Sequence, residues 1–223
     1  TDNGDAGTLT LSGTVYKTNA ATYAGGATGG ISITGASSAF TTTADNITFT
    51  NTATLGNISA VSVTTAGSAP ASGDITFGTI RGTSDEDVTL NASSANITVG
   101  LIGDETANEI NTVALTSATI LLNGDILTSD AAGNTVTLTG AATLGAGVSI
   151  NTDETTNDGT VSFTSSVDSS SATDRALTIA SGTGDISISG AIGATNDLAS
   201  LTITGNDITV ANIGNGGAGV TGT

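Results

Sequence analysis

The stretch Gly184-Asp185-Ile186-Ser187-Ile188-Ser189-Gly190 decides how the rest of the chain reads. Between turn formers stand an apolar residue, a small hydroxyl residue and a second apolar residue. The phrase recurs as Leu9-Thr10-Leu11, Ile31-Ser32-Ile33, Ile47-Thr48-Phe49, Val61-Ser62-Val63, Ile75-Thr76-Phe77, Val88-Thr89-Leu90 and Ile97-Thr98-Val99. It continues as Val136-Thr137-Leu138, Val148-Ser149-Ile150, Val161-Ser162-Phe163, Leu177-Thr178-Ile179, Leu201-Thr202-Ile203 and Ile208-Thr209-Val210. A period of two is the strand period, and many short strands punctuated by Gly, Asn, Asp, Ser and Thr define a repetitive all-β chain.

One coil of such strands leaves rows of unpaired N–H and C=O groups above and below, and an apolar lumen it cannot close. A second coil stacked at ~4.8 Å satisfies both needs. The expected fold is a parallel β-helix (β-solenoid) of about ten coils, each of roughly 20–25 residues, giving a rod roughly 45–50 Å long. In this register Ile186 and Ile188 face the lumen and Ser187 faces solvent. The competing architecture is a β-sandwich or tandem Ig-like array. It would use hairpin turns, for which Asn123-Gly124 is a signal, and a bulky aromatic inter-sheet core. Aromatic residues make up 3% of the chain and Trp is absent, which favours the solenoid.

A longer echo overlays the phrases. Ile75 and Val161 start corresponding strands 86 residues apart, Val88 and Leu177 are 89 apart, Ile97 and Ile186 are 89 apart, and Val113 and Leu201 are 88 apart. This echo is read as an internal repeat of about four coils. Residues 1–223 form one continuous array, since the only proline, Pro70 in the loop Ala66–Gly73, does not mark a domain boundary. A chain opening on Thr1 without Met reads as a segment or mature part of a larger or polymerising protein.

Three basic and 20 acidic residues give a net charge of −17. Such a surface repels phosphate backbones and anionic bilayers, so no nucleic-acid partner and no electrostatic membrane docking are expected. No apolar run is long enough for a membrane helix, and two Tyr with four Phe cannot furnish the aromatic girdles of a membrane barrel. Cys is absent, which removes disulfides and thiolate chemistry and fits a bacterial protein exported unfolded.

Catalysis is not expected. His and Cys are missing, and the only bases, Lys17, Arg81 and Arg175, are scattered. No cofactor is expected either, with calcium as the one candidate ligand. Its weak candidate ligands are Asp85, Glu86 and Asp87, with Asp153 and Glu154 in a second cluster, because carboxylates and turn carbonyls suit hard cations. Neither cluster carries a calcium-loop or nonapeptide signature, so a solvated loop is the simpler reading. The acceptor-like tripeptides at Asn46, Asn57, Asn91 and Asn96 read as turn asparagines ahead of strands. Thr-x-Thr phrases (Thr8/Thr10, Thr135/Thr137/Thr139, Thr202/Thr204) raise ice binding, which requires them to stack in successive coils.

From Gly159 to Ile213 the run Thr160-Val161-Ser162-Phe163, Ala176-Leu177-Thr178-Ile179, Gly190-Ala191-Ile192-Gly193 and Leu198-Ala199-Ser200-Leu201-Thr202-Ile203 resembles the repeats of filamentous-haemagglutinin-like and autotransporter-type bacterial surface adhesins. Looser versions cover nearly the whole chain. The resemblance implies a right-handed parallel β-helix, secreted and displayed at the bacterial cell surface as a stalk or filament. It also implies partners on a host or neighbouring cell surface, including glycans. Self-association end to end or within a longer chain is expected because open coil ends are strand edges that invite stacking. The function expected is therefore structural and adhesive; the alternative is an ice- or glycan-binding module on the same scaffold.

Overall fold

The computed structural model describes residues 6–66, 72–104, 110–170 and 173–222. Pro70 and Glu105 lie outside the described residues. Twenty strands are present there and no helix, and every pairing between strands is parallel. The one antiparallel contact among the described residues is an isolated bridge between Ala66 and Ser72. A sandwich or Ig-like array needs antiparallel ladders, so the parallel β-solenoid is the fold.

The chain winds over three faces in a fixed order, and each face stacks one residue per coil. On face 1 the column is Leu9, Ile31, Ala53, Ile80, Ile102, Ile126, Ile150, Ile179 and Ile203. On face 2 it is Tyr16, Phe40, Val63, Leu90, Leu115, Leu138, Phe163, Ile188 and Val210. On face 3 it is Ala21, Ile47, Ile75, Ile97, Ile120, Ala142, Val167, Ile192 and Ile213. These columns are the core. Ile33, Ile47, Leu90, Leu115, Ile150 and Ile188 are completely buried, and the lumen alternation expected of Ile186, Ser187 and Ile188 is present. Each buried Ile, Leu or Val contributes about 1.5–3 kcal/mol, which is how strands of three to five residues hold together.

Nine positions per column make about eight turns, where about ten were expected. At ~4.8 Å per step the rod is roughly 38 Å long, shorter than the sequence estimate. The difference arises at the corners. Neighbours on face 1 lie 22 residues apart at Leu9–Ile31 and Ile31–Ala53, but 27 apart at Ala53–Ile80 and 29 apart at Ile150–Ile179. Extra residues there extend loops and add no height.

The long echo also needs correcting. Ile75 is on face 3 and Val161 on face 2; Val88 is on face 2 and Leu177 on face 1. Ile97 and Ile186, and Val113 and Leu201, are displaced in the same sense. The repeat spans eleven strand sides, one short of four full coils, so it moves each strand one face round. Such a shift is tolerated because every side asks only for apolar residues inward, a hydroxyl outward and a turn after.

Aromatic side chains are few but concentrated in the first coils. In-register pairing puts them face to face: Tyr16 on Phe40 with centroids 4.5 Å apart, Tyr23 on Phe49 at 4.8 Å, and Phe49 on Phe77 at 4.1 Å. Offset or parallel stacks of this kind add to area burial. Farther along, aliphatic residues fill most of these positions, with Phe163 the one later aromatic. In the last coil Ile213 is 54% exposed, whereas Ile192 directly beneath it is fully buried.

Candidate functional site

Corners are where this chain keeps its polar chemistry. At several of them a hydroxyl residue just past a strand turns inward and closes the loop: Thr152 donates to the Gly159 carbonyl at 2.8 Å and Ser181 to the Gly184 carbonyl at 2.8 Å. Both side chains are fully buried, so the bond is needed to offset the loss of water. The tripeptide asparagines sit at corners too. Asn46 accepts from the Asp74 N–H, Asn91 from the Ser93 N–H, Asn57 adopts φ 55°, and the Asn96 amide donates to Asp74.

The first acidic cluster is divided among three jobs. Glu86 is completely buried; its Oε2 accepts from the Thr83 N–H at 2.7 Å and the Ser84 N–H at 2.9 Å, and its Oε1 from the Thr83 hydroxyl at 3.0 Å. Asp85, exposed, supplies the left-handed corner with φ 60°. Asp87 points outward and accepts from the Thr112 N–H at 3.1 Å and the Asn111 amide at 3.2 Å. In the second cluster Asp153 is exposed, while the Glu154 N–H donates to Asp158 at 2.9 Å. Among the described residues no three or more acidic side chains converge as a metal site.

Asp87 exemplifies a device that sequence reading missed. An aspartate or asparagine just ahead of a strand's first apolar residue accepts an N–H from at or near the start of the strand one coil above. Asp74 takes Asn96, Asp125 takes Ser149, and Asp185 takes Asp207. Asp197 does the same, and Asp130, Asp158 and Asp168 also accept N–H groups from the next coil, from other positions in the chain. Corner N–H groups have no ladder partner, so a carboxylate from below pairs them. Much of the acidity is therefore coil-to-coil stitching as well as a solvated exterior. The signal was visible in Asp74-Ile75, Asp125-Ile126, Asp185-Ile186 and Asp197-Leu198, where the acid abuts the first apolar strand residue.

Two of these carboxyls titrate below the ordinary aspartate range. For Asp130 the cause is the Asn157 backbone N–H at 2.7 Å, aided by the Thr156 N–H at 3.0 Å. For Asp158 it is the Thr183 N–H at 2.7 Å and hydroxyl at 2.8 Å, then the Glu154 N–H. A depressed folded-state value means that the unfolded chain binds protons more readily, so these bonds stabilise fully above about pH 4–5 and are lost as pH falls through the depressed values. Asp158→Asn should lower the melting temperature at pH 7, and the gap to the natural chain should narrow as pH falls below about 4. A gap constant across that range would refute the stitching role.

The three basic residues do not gather. Arg81 pairs with Asp104 at 3.5 Å on face 1, Lys17 is on face 2, and Arg175 begins a different strand of face 1. A shallow groove of about 320 Å³ on face 3 is lined by Asp74, Asn96, Thr98, Thr119 and Leu121. It has no aromatic platform.

The outward side of face 2 is different. Its strands place three ranks of side chains toward solvent: Thr135, Thr137 and Thr139 in one coil, Thr160, Ser162 and Thr164 above it, and Thr112, Ala114 and Thr116 below. The Thr-x-Thr phrase at Thr135–Thr139 thus stacks on near-copies of itself. That at Thr202/Thr204 does not: Thr178 and Ala180 lie below it. Comparison of the chain with protein-family models, curated proteins and solved structures finds no match.

Proposed function

We propose that this chain is a structural and adhesive segment of a bacterial extracellular surface protein, forming part of a stalk or filament and working without catalysis. The observation that carries the reading is the uninterrupted stack, in which three apolar columns run through nine levels without a break. Such a body is a spacer that presents long faces, and it lacks a deep enclosed pocket among the grooves described. The repeat style of Gly159–Ile213 supports placement among surface adhesins, and the absence of Cys supports export. A further coil, from a longer chain or a second copy, would cover Ile208 and Ile213 and pair the strands below them. Attachment would use a face instead of a cleft, directed at a neighbouring cell surface or its glycans.

Immunogold electron microscopy of the producing cell, with antibody to this chain, tests the proposal. Label along rods or fibres outside the cell is the expected result. Label confined to the cytoplasm, or to compact particles, would overturn it.

A further inference from the structure

We infer that face 2 is an ice-binding surface, on which side-chain hydroxyls and methyls hold a layer of water in the spacing of an ice lattice. This goes beyond the role of a rod. Seven consecutive coils, from Ser37–Thr41 to Asp185–Ser189, place 21 side chains on this face, and 15 of them are Thr or Ser. The remainder are Ala, Asp and Asn. No Lys, Arg, Glu, Leu or aromatic side chain interrupts these coils on this face.

Geometry makes the composition meaningful. Coils repeat at ~4.8 Å along the axis, and alternate residues of a strand at ~6.6 Å across it. Both intervals are close to repeats of water oxygens on a prism face of hexagonal ice. The patch is centred on Thr135, Thr137, Thr139, Thr160, Ser162 and Thr164, where ladder pairing runs residue for residue from Thr135–Leu138 onto Thr160–Phe163. Beneath it Val136, Leu138, Val161 and Phe163 are buried to 1% or less, so the platform is rigid. Branching at Cβ restricts the Thr rotamers, which keeps the array ordered before any ligand arrives.

The other two faces lack this regularity. Arg81 breaks the outward side of face 1, and Leu121 breaks that of face 3. Chemistry also selects the occupant. The patch centre carries no charge, so it offers nothing to a phosphate or carboxylate. It has no aromatic ring on which a sugar would stack. What remains is a neutral ligand with donors and acceptors at a fixed repeat, and lattice water fits.

The test is a measurement of the gap between melting and freezing points, with ice-crystal habit, in solutions of the full chain. The natural chain is expected to open a gap and shape crystals. Thr137→Tyr and, independently, Ser162→Tyr should remove most of the gap. Thr76→Tyr, equally outward but on face 3, should leave it unchanged. Circular dichroism identifies which variants are folded, and Thr137→Asn replaces any tyrosine variant that is not. No gap from folded natural chain would overturn the inference, as would equal loss from the face 3 control. Light scattering showing a dimer that Thr137→Tyr dissolves, without a gap, would assign face 2 to a second copy and overturn it as well.

Discussion

Ile188→Asp is expected to strip the last three coils of their protection against hydrogen exchange, while Ser187→Asp, one residue away, leaves that protection in place. Ile188 is completely buried, between Phe163 in the coil below and Val210 in the coil above. Its surroundings are the apolar columns, which hold no donor for a carboxylate. An unpaired buried charge of this kind costs about 3–5 kcal/mol, against a total stability of about 5–15 kcal/mol for an ordinary domain. A solenoid distributes stability between neighbouring coils, so the damage should be local. Amides from Val161 to Val210 should exchange quickly while those of Val88–Leu90 and Leu115 remain slow. Ser187 is on the outward side of the same strand, where an added charge meets water; its substitution should change stability by about 0.5 kcal/mol or less. Equal damage from the two would mean that the inward and outward assignment is wrong.

That assignment is what the sequence displays best, and the reason is chemical. Inward and outward demand opposite side chains, so Ile186-Ser187-Ile188 announces its own orientation. Which face a strand belongs to is a different matter. All three faces need the same apolar–hydroxyl–apolar phrase, so Ile75 and Val161 look equivalent although they lie on different sides. Coil number was obscured by loops, because spacings of 22 residues, as at Leu9–Ile31, and of 29, as at Ile150–Ile179, both end in an ordinary strand. The aspartates were hidden in another way. Their partners are backbone N–H groups 22 to 28 residues away, as in Asp74 with Asn96 and Asp168 with Asn196, and backbone leaves no mark in composition. Face 2 was concealed by Ala114 and Ser162, which interrupt the Thr spacing in sequence yet fall into the same ranks once the coils are stacked.

Gly140→Ala should lower the melting temperature by roughly 6–12 °C, and Gly147→Ala should leave it unchanged or raise it slightly. Gly140 turns the corner between face 2 and face 3 inside a continuous strand, Thr135–Leu144. Thr139 pairs with Thr116 and Ala141 with Thr119, so this one residue opposes two, Ser117 and Ala118. A mismatch of one against two bends the strand, and the bend is made at φ 135°, open to glycine and hostile to other residues. A Cβ there would also lie 2.0 Å from the Ser117 carbonyl oxygen. That atom belongs to the backbone of the coil below, so it cannot swing aside as a flexible side chain would. Strain at such φ values costs about 1–3 kcal/mol, and the collision adds to it, for a total of about 3 kcal/mol. At Gly147 nothing lies within 4 Å of the added methyl, and the loss of unfolded-state freedom is all that counts. Gly140 also adjoins Thr139, at the edge of the hydroxyl array. If the methyl added at Gly140 pushes the two coils apart there, the rank of Thr116, Thr139 and Thr164 loses its even spacing. A folded Gly140→Ala chain should then show a weakened freezing gap alongside its lower melting temperature, whereas a melt within about 2 °C of the natural chain would mean that the corner is looser than its geometry indicates.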